Sequence, residues 1–222
     1  MYKNYVKRFI DVVVSGIAVI ILAVPMLLIA AAIKIDDPGP VLFKQRRVGQ
    51  KKDGQLTYFM IWKFRSMKMS TPKDVPTHLL ENPEQYITRV GKFIRRASID
   101  EFPQFCQVFL GQLSLVGPRP ALWSQDDLIA EREKYSANDV RPGITGWAQI
   151  NGRDELAIDV KARLDGEYTT ALNSGNLKGF LMDLRCFFGT FLKVLRQDGF
   201  VEGGTGELKK QKEKMREETT AK

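Results

Sequence analysis

From Val12 to Ile33 the chain runs VVVSGIAVIILAVPMLLIAAAI, 22 residues without a charge. A straight helix of that length reaches roughly 33 Å, enough to cross a bilayer. A cleaved leader is one reading, since Ala30-Ala31-Ala32 resembles a cleavage site. The run is too long for a leader's apolar core, however, and the rest of the chain lacks an exported protein's cysteines. Pro25 sits just past the middle, where its missing N–H and its ring kink or break a helix. Lys3, Lys7 and Arg8 precede the run, and Lys34, Lys44, Arg46 and Arg47 follow it. Basic flanks tend to stay cytoplasmic. Positive charge on both sides therefore favours a helix that enters and leaves by one face, with the backbone groups freed near Pro25 satisfied locally. A kinked spanning helix is the open alternative. Asp11, one turn past Lys7 and Arg8, is placed to pair with them at the interface.

Beyond the run, Asp36 to Pro40 (DDPGP) is a turn cluster that stops regular structure. PVLFKQRRVG and QLTYFMIWKFRSM flank Lys51-Lys52-Asp53-Gly54, and Asp-Gly between β-prone runs predicts a hairpin. Pro and Thr interruptions over residues 70–86 predict an irregular surface excursion. Phe102, Phe105, Cys106, Phe109 and Leu110 fall on one helical stripe with Gly111 as its stop. Ser98 and Glu101 match a capping box, and Pro103 is tolerated only near a helix start. A last helix over residues 182–195 carries Leu184, Phe187, Phe188, Phe191, Leu192 and Leu195 beside Arg185, Lys193 and Arg196. It suits either a core or a membrane interface. The expected fold is mixed α+β, mostly helical, with a β-hairpin and a re-entrant N-terminal membrane helix. The protein is thus expected to be monotopic.

Composition narrows the chemistry. The net charge is +8, and the segment from Glu207 onward supplies only +2 of it, so the body carries +6. That excess points to an anionic partner: lipid, a phosphorylated ligand or nucleic acid. Nucleic-acid binding asks for basic residues interleaved with aromatics along one surface. Here the arginines sit in separate Gly/Pro-bounded motifs, so no nucleic acid is expected. The single histidine, His78, argues against zinc and against a His-based triad. Cys106 and Cys186 read as reduced core thiols in a cytosol-like compartment. Carboxylates, arginines and hard metal ions remain.

RRASIDEFPQF (Arg95 to Phe105) puts Asp100 and Glu101 side by side at a helix start, where N–H groups favour anions. Two carboxylates facing one spot call for a cation between them, and Mg²⁺ takes oxygen ligands while keeping phosphates as partners. Arg95 and Arg96 stand one turn upstream, and guanidinium binds phosphate bidentately. SLVGPRP fixes Arg119 between two prolines, and VRPGITGWAQINGR carries Arg141 and Arg153 among glycines, both readable as anion cradles. Trp147 offers a face for a nucleobase, although packing is the commoner use of a tryptophan. Together these residues describe a carboxylate–metal–arginine site for a phosphorylated substrate.

KRFID, KFRSM, RRASIDEFPQ, SLVGPRP and VRPGITGWAQINGR, together with the N-terminal hydrophobic helix, resemble the bacterial sugar transferase family. Its members are monotopic phosphoglycosyl transferases that act on polyprenol phosphate. The resemblance covers residues 3–200, and the length resembles the family's minimal form. It implies transfer of a sugar phosphate from a UDP-sugar to undecaprenyl phosphate, with release of UMP. It also implies Mg²⁺ and a phosphosugar held covalently on an aspartate. By that resemblance Asp100 is the nucleophile, and Glu101 assists it and helps hold Mg²⁺. Arg95, Arg119 and Arg141 steady phosphates. Lys7, Arg8 and Asp11 match an interfacial KRxxD motif, and Pro25 matches the helix-breaking proline of the re-entrant anchor. The implied organisation is an anchor over 1–36 broken at Pro25, a catalytic domain over 37–200 and a charged tail over 201–222. The implied place is the cytoplasmic face of the bacterial inner membrane. Ile99, Phe102 and Phe105 stand where many members have leucine, and Leu164 to Leu184 follows the family pattern only loosely. Two other readings are a membrane-tethered binder of anionic lipid or nucleic acid, and a phosphatase that passes the intermediate to water.

Overall fold

The computed structural model describes residues 1–71, 83–152 and 156–196. His78, Arg153, the tail over 201–222 and most of the excursion expected over 70–86 lie outside them. A single turn of π-helix over Tyr2–Val6 leads into α1 (Lys7–Asp36). Pro25 lies inside α1 and the helix runs on through it. The proline removes a donor that would have bonded the Ile21 carbonyl.

One side of α1 meets the rest of the chain. Asp11, Ser15 and Ile33 are buried, and Met26, Ile29 and Ala30 pack against the cluster of Ile33, Phe64 and Ile94. The other side exposes Ile17, Ile20, Ile21, Val24, Leu27 and Leu28 at helical spacing. Only 6% of the most apolar 18-residue window is buried. Shielding such a side chain from water is worth roughly 1.5–3 kcal/mol. Six of them amount to on the order of 10 kcal/mol, as much as a whole domain's stability. By length and composition the helix is long and apolar enough to cross a membrane.

The expected hairpin forms. β1 (Leu42–Val48) pairs antiparallel with β2 (Tyr58–Phe64), Leu42 opposite Phe64 and Val48 opposite Tyr58. Beyond it Lys52 and Gln55 exchange backbone bonds of 2.8 Å in both directions. Asp53 and Gly54 between them have φ of 49° and 77°, the left-handed pair that suits the right-handed twist of a two-residue hairpin turn.

α2 (Arg89–Arg96) follows, its first turn capped by Thr88 Oγ1, which accepts from the Gly91 N–H. Asp36, the last residue of α1, accepts from the Val90 N–H at 2.9 Å, so the end of one helix caps the start of the next. α3 (Gln104–Leu110) starts after Pro103 and stops at Gly111, whose φ is 86°. Both limits were legible in the sequence, but the face was not. The buried residues of α3 are Gln104, Gln107 and Val108, whereas Phe109 and Leu110 are exposed. Gln107 accepts from the Trp62 N–H and donates to the Met60 carbonyl, acting as a stand-in strand along β2. That turns the apolar stripe towards α1, where Phe109 lies against Gly16.

Two three-residue strands come next. β3 (Ser114–Val116) pairs parallel with β4 (Gly143–Thr145), and α4 (Asp126–Glu133) lies in the connection. The short α5 (Trp147–Ile150), α6 (Ile158–Asn173) and α7 (Asn176–Arg196) complete the chain. α7 begins earlier than its stripe suggested. It buries Asp183 and Cys186 but exposes Leu181, Phe187, Phe188, Phe191 and Leu192. Both cysteines are free. Cys186 is the core thiol expected, with its pKa pushed up to about 12 by burial and then by Asp183. Cys106 is half-buried.

Candidate active site

Asp100 and Glu101 sit on one turn of 3-10 helix, Ile99–Glu101. The capping box expected from Ser98 and Glu101 is absent. Ser98 has φ 53° and makes no side-chain cap bond, and its own N–H already donates to the Arg95 carbonyl at 3.0 Å. Glu101 turns its carboxylate to cations instead: Oε1 accepts from Lys63 Nζ at 2.9 Å and from Arg119 Nη2 at 3.2 Å. Asp100 is only 5% exposed, with Oδ2 3.9 Å from Lys63 Nζ. One ammonium therefore stands over both carboxylates.

Lys63 was quoted within KFRSM and given no role. Its position is set by the register of β2, opposite Phe43 on the face it shares with buried Ile61. A sequence signal existed in the alternation of YFMIWKF, which points Lys63 to the same side as Ile61. In the same motif, Arg65 binds the Asp37 carboxylate at 2.5 Å, and Ser66 Oγ accepts from Arg95 Nε at 2.8 Å. Arg95, at the end of α2, is thus bonded to the segment just after β2.

SLVGPRP and RPGITG meet through the β3–β4 pair. Their glycines do not form the open anion cradle expected. The Gly117 N–H donates to the Thr145 carbonyl at 2.7 Å, and the Gly143 N–H to Pro118 at 2.9 Å. A Cβ on Gly117 would strike the Arg141 carbonyl, and one on Gly143 would strike the Gly117 nitrogen. Close backbone approach is what these glycines permit, and it delivers Arg119 to the dyad. Arg141 stands two residues before β4. It is half-buried, and burial lowers its pKa, with the Arg8 charge adding to the effect and Asp11 opposing it. The charges it feels are those of the KRxxD motif. Trp147 packs on the cluster of Val116, Val140 and Tyr168 and donates to Glu167 at 2.9 Å, so it serves packing.

The KRxxD residues do not pair among themselves. Lys7 Nζ binds Asp183 Oδ2 at 2.8 Å. Arg8 donates to the Val108 and Phe109 carbonyls at 2.6 and 2.8 Å, capping the C-terminus of α3. Asp11 Oδ1 accepts from Ser114 Oγ at 3.1 Å and from the Leu115 N–H at 2.9 Å. The motif ties α1 to α7, α3 and β3.

Among the described residues no group of three His, Cys, Asp or Glu side chains could enclose a metal. Two adjacent carboxylates, with water and substrate phosphate filling the remaining positions, are nonetheless the donor set that Mg²⁺ takes. Asp100 and Glu101 fit that description.

The structure thus brings together a shielded carboxylate pair with Lys63 and Arg119. A sequence model of the bacterial sugar transferase family matches residues 2–197, and the chain belongs to that family. It is 41% identical over 158 residues to the UDP-glucose:undecaprenyl-phosphate glucose-1-phosphate transferase of Escherichia coli K12, covering 68% of this chain and 32% of that protein. It is 37% identical over 167 residues to the UDP-N-acetylgalactosamine-undecaprenyl-phosphate N-acetylgalactosaminephosphotransferase of Aeromonas hydrophila, covering 74% and 38%. It is 36% identical over 193 residues to the sugar transferase EpsL of Bacillus subtilis 168, covering 87% and 89%. The chain thus spans roughly a third of the first two relatives and most of the third.

Proposed function

We propose that this protein transfers a sugar 1-phosphate from a UDP-sugar to undecaprenyl phosphate, releasing UMP, in two steps through Asp100. The observation that carries the reading is the shielded Asp100 carboxylate beside a Glu101 that is held by Lys63 and Arg119. An Asp100 oxygen attacks the β-phosphorus of the donor. The bond to the bridging oxygen breaks, and UMP leaves with that oxygen. The phosphosugar is then an acyl phosphate on Asp100. An oxygen of undecaprenyl phosphate attacks the same phosphorus, the carboxylate departs, and a diphosphate-linked lipid sugar forms. Splitting the transfer lets a nucleotide from water and a lipid from the bilayer use one site in turn. Lys63, Arg119 and Arg95 offset the charge gathering on the phosphoryl oxygens. Mg²⁺ held by Asp100 and Glu101 would neutralise the diphosphate further. A nucleophile this shielded is poorly placed to pass its phosphosugar to water, which favours transfer over hydrolysis.

UMP release tests the reading. With Mg²⁺, undecaprenyl phosphate and a panel of UDP-sugars, one donor should give UMP and a lipid-linked sugar in equal amounts. Free sugar 1-phosphate formed without lipid would make the protein a hydrolase instead. The panel also identifies the sugar, since relatives of similar identity carry names with different ones.

The same reading puts the body on the cytoplasmic face with α1 re-entrant. The start of α1 is tied to Asp183, α3 and β3, and its end to Arg65 and Val90. A helix with both ends bonded to one polar body enters and leaves by one face. Tyr5, 73% exposed, is a suitable reporter. In a Cys106→Ser background, a Tyr5→Cys variant should resist a membrane-impermeant maleimide in intact cells and react after lysis. Labelling in intact cells would mean that α1 crosses.

A further inference from the structure

We infer that Arg132 and Asp165 are positioning residues for the transfer, holding the backbone of Arg119 so that its guanidinium meets Glu101. Arg132 lies on α4 and Asp165 on α6, with side chains 5% and 1% exposed. Arg132 donates to Asp165 Oδ2 twice, from Nε at 2.9 Å and from Nη2 at 2.6 Å. The same Nη2 also donates to the Arg119 carbonyl at 3.0 Å. From that residue the chain of bonds runs on to Glu101 Oε1, 3.2 Å from Arg119 Nη2.

A purely structural account of the pair is weak on physical grounds. Two buried charges lose their hydration, and an apolar pair of similar volume is often as stable or more so. Burial does push the Asp165 carboxyl above its ordinary pKa, against the pull of Arg132. An apolar pair could fill the space between α4 and α6. It could not donate to the Arg119 carbonyl. A guanidinium fork presents its donors to the carboxylate and the backbone oxygen in one rigid plane, which a flexible ammonium does not, and the fixed Asp165 carboxylate holds that fork in one rotamer.

The rest of the loop is secured from other sides, which isolates what the pair contributes. Tyr168, one turn after Asp165 on α6, sets its hydroxyl 3.0 Å from the Val116 carbonyl, with its proton given to the closer Asp183 Oδ1 at 2.8 Å. Arg47 donates to the Pro120 carbonyl at 3.1 Å, and the Val48 N–H to Ala121 at 3.0 Å. The carbonyl of Arg119 itself is held by Arg132 from α4. The stretch from Leu164 onward, which follows the family pattern loosely, thus contains two side chains that shape the site without facing substrate.

The role presupposes the transfer reaction proposed above, because its effect is on a group that offsets charge at the phosphoryl centre. A misplacement of about 1 Å at such a group costs about 10²-fold in rate. The test replaces the pair by an apolar one, Arg132→Met with Asp165→Leu, and separately makes Arg132→Lys. Lysine keeps the charge but cannot reach both acceptors in the same geometry. Each variant should fold, with thermal unfolding near the parent's, yet lose about 10- to 100-fold in kcat with the KM for UDP-sugar within about threefold. In an Arg119→Lys background the same changes should cost almost nothing more, because the group they position is already altered. A folded variant with parental kcat, or losses that multiply unchanged in the Arg119→Lys background, would overturn the role. If the double variant fails to fold, the cycle between Arg132→Lys and Arg119→Lys decides alone. If the parent forms no UMP at all, the transferase reading fails on its own. The clamp is then judged by amide hydrogen exchange over residues 119–123, which Arg132→Lys should accelerate at least about tenfold. Unchanged protection there would refute it.

Discussion

Asp100→Asn is expected to lower UMP formation by at least about 10³-fold, the scale on which loss of a covalent nucleophile acts. The amide is nearly isosteric, so the fold should survive. The ammonium of Lys63 is 3.9 Å from Asp100 but 2.9 Å from Glu101, so it keeps its closer partner when Asp100 loses its charge. Intact-protein mass spectrometry separates the covalent route from direct transfer. Parent enzyme given its UDP-sugar without lipid should gain the mass of one phosphosugar, and Asp100→Asn should gain nothing. UMP formed at parental rate by Asp100→Asn would remove the nucleophile from Asp100. UMP formed by the parent with no adduct at any time would favour attack by the lipid phosphate on the donor itself.

Local chemistry made part of this molecule readable in advance. Asp53-Gly54 specifies a hairpin because few residues accept two successive positive φ values. Gly111 ends α3 for the same reason. The apolar run before Lys34 reads as helix from its length and composition, and α1 spans it. What stayed hidden depends on partners far along the chain. The β3–β4 pair is two three-residue strands, too short for any periodicity to declare, and it exists because glycines 117 and 143 let two backbones touch. Lys63 reaches the dyad through strand register, which a motif does not show. Arg141 and Arg119 occupy similar Pro/Gly settings, yet Arg119 bonds Glu101 whereas Arg141 feels the charges of Arg8 and Asp11. The stripe on α3 is apolar as its spacing predicts, yet it leaves Phe109 and Leu110 exposed. Periodicity finds the apolar side of a helix but not which solvent, protein or lipid, that side meets.

The attachment of α1 predicts the second large effect. Asp183 Oδ2 accepts from Lys7 Nζ at 2.8 Å and from the Tyr2 hydroxyl at 2.6 Å, and Oδ1 accepts from the Tyr168 hydroxyl at 2.8 Å. Burial first, and then Asp183, hold both phenols protonated above their ordinary range, so they remain donors at neutral pH. Asp183→Leu removes the common acceptor, stranding the buried Lys7 ammonium and the Tyr2 hydroxyl, while Tyr168 can still turn to the Val116 carbonyl. Breaking a buried ion pair from one side costs about 3–5 kcal/mol, and a drop of that order is expected in detergent-solubilised protein. Lys7→Met should cost less, about 1–3 kcal/mol, because the Asp183 carboxylate keeps two hydroxyl donors and is not left bare. The ordering distinguishes the causes. If stranded charge sets the cost, Asp183→Leu must be the worse variant, and adding Lys7→Met to it should recover part of the loss. If the residues only fill space, the two costs should be similar and additive. Equal, additive losses would mean that α1 is held by its apolar contacts and that the KRxxD lysine is dispensable as a tether.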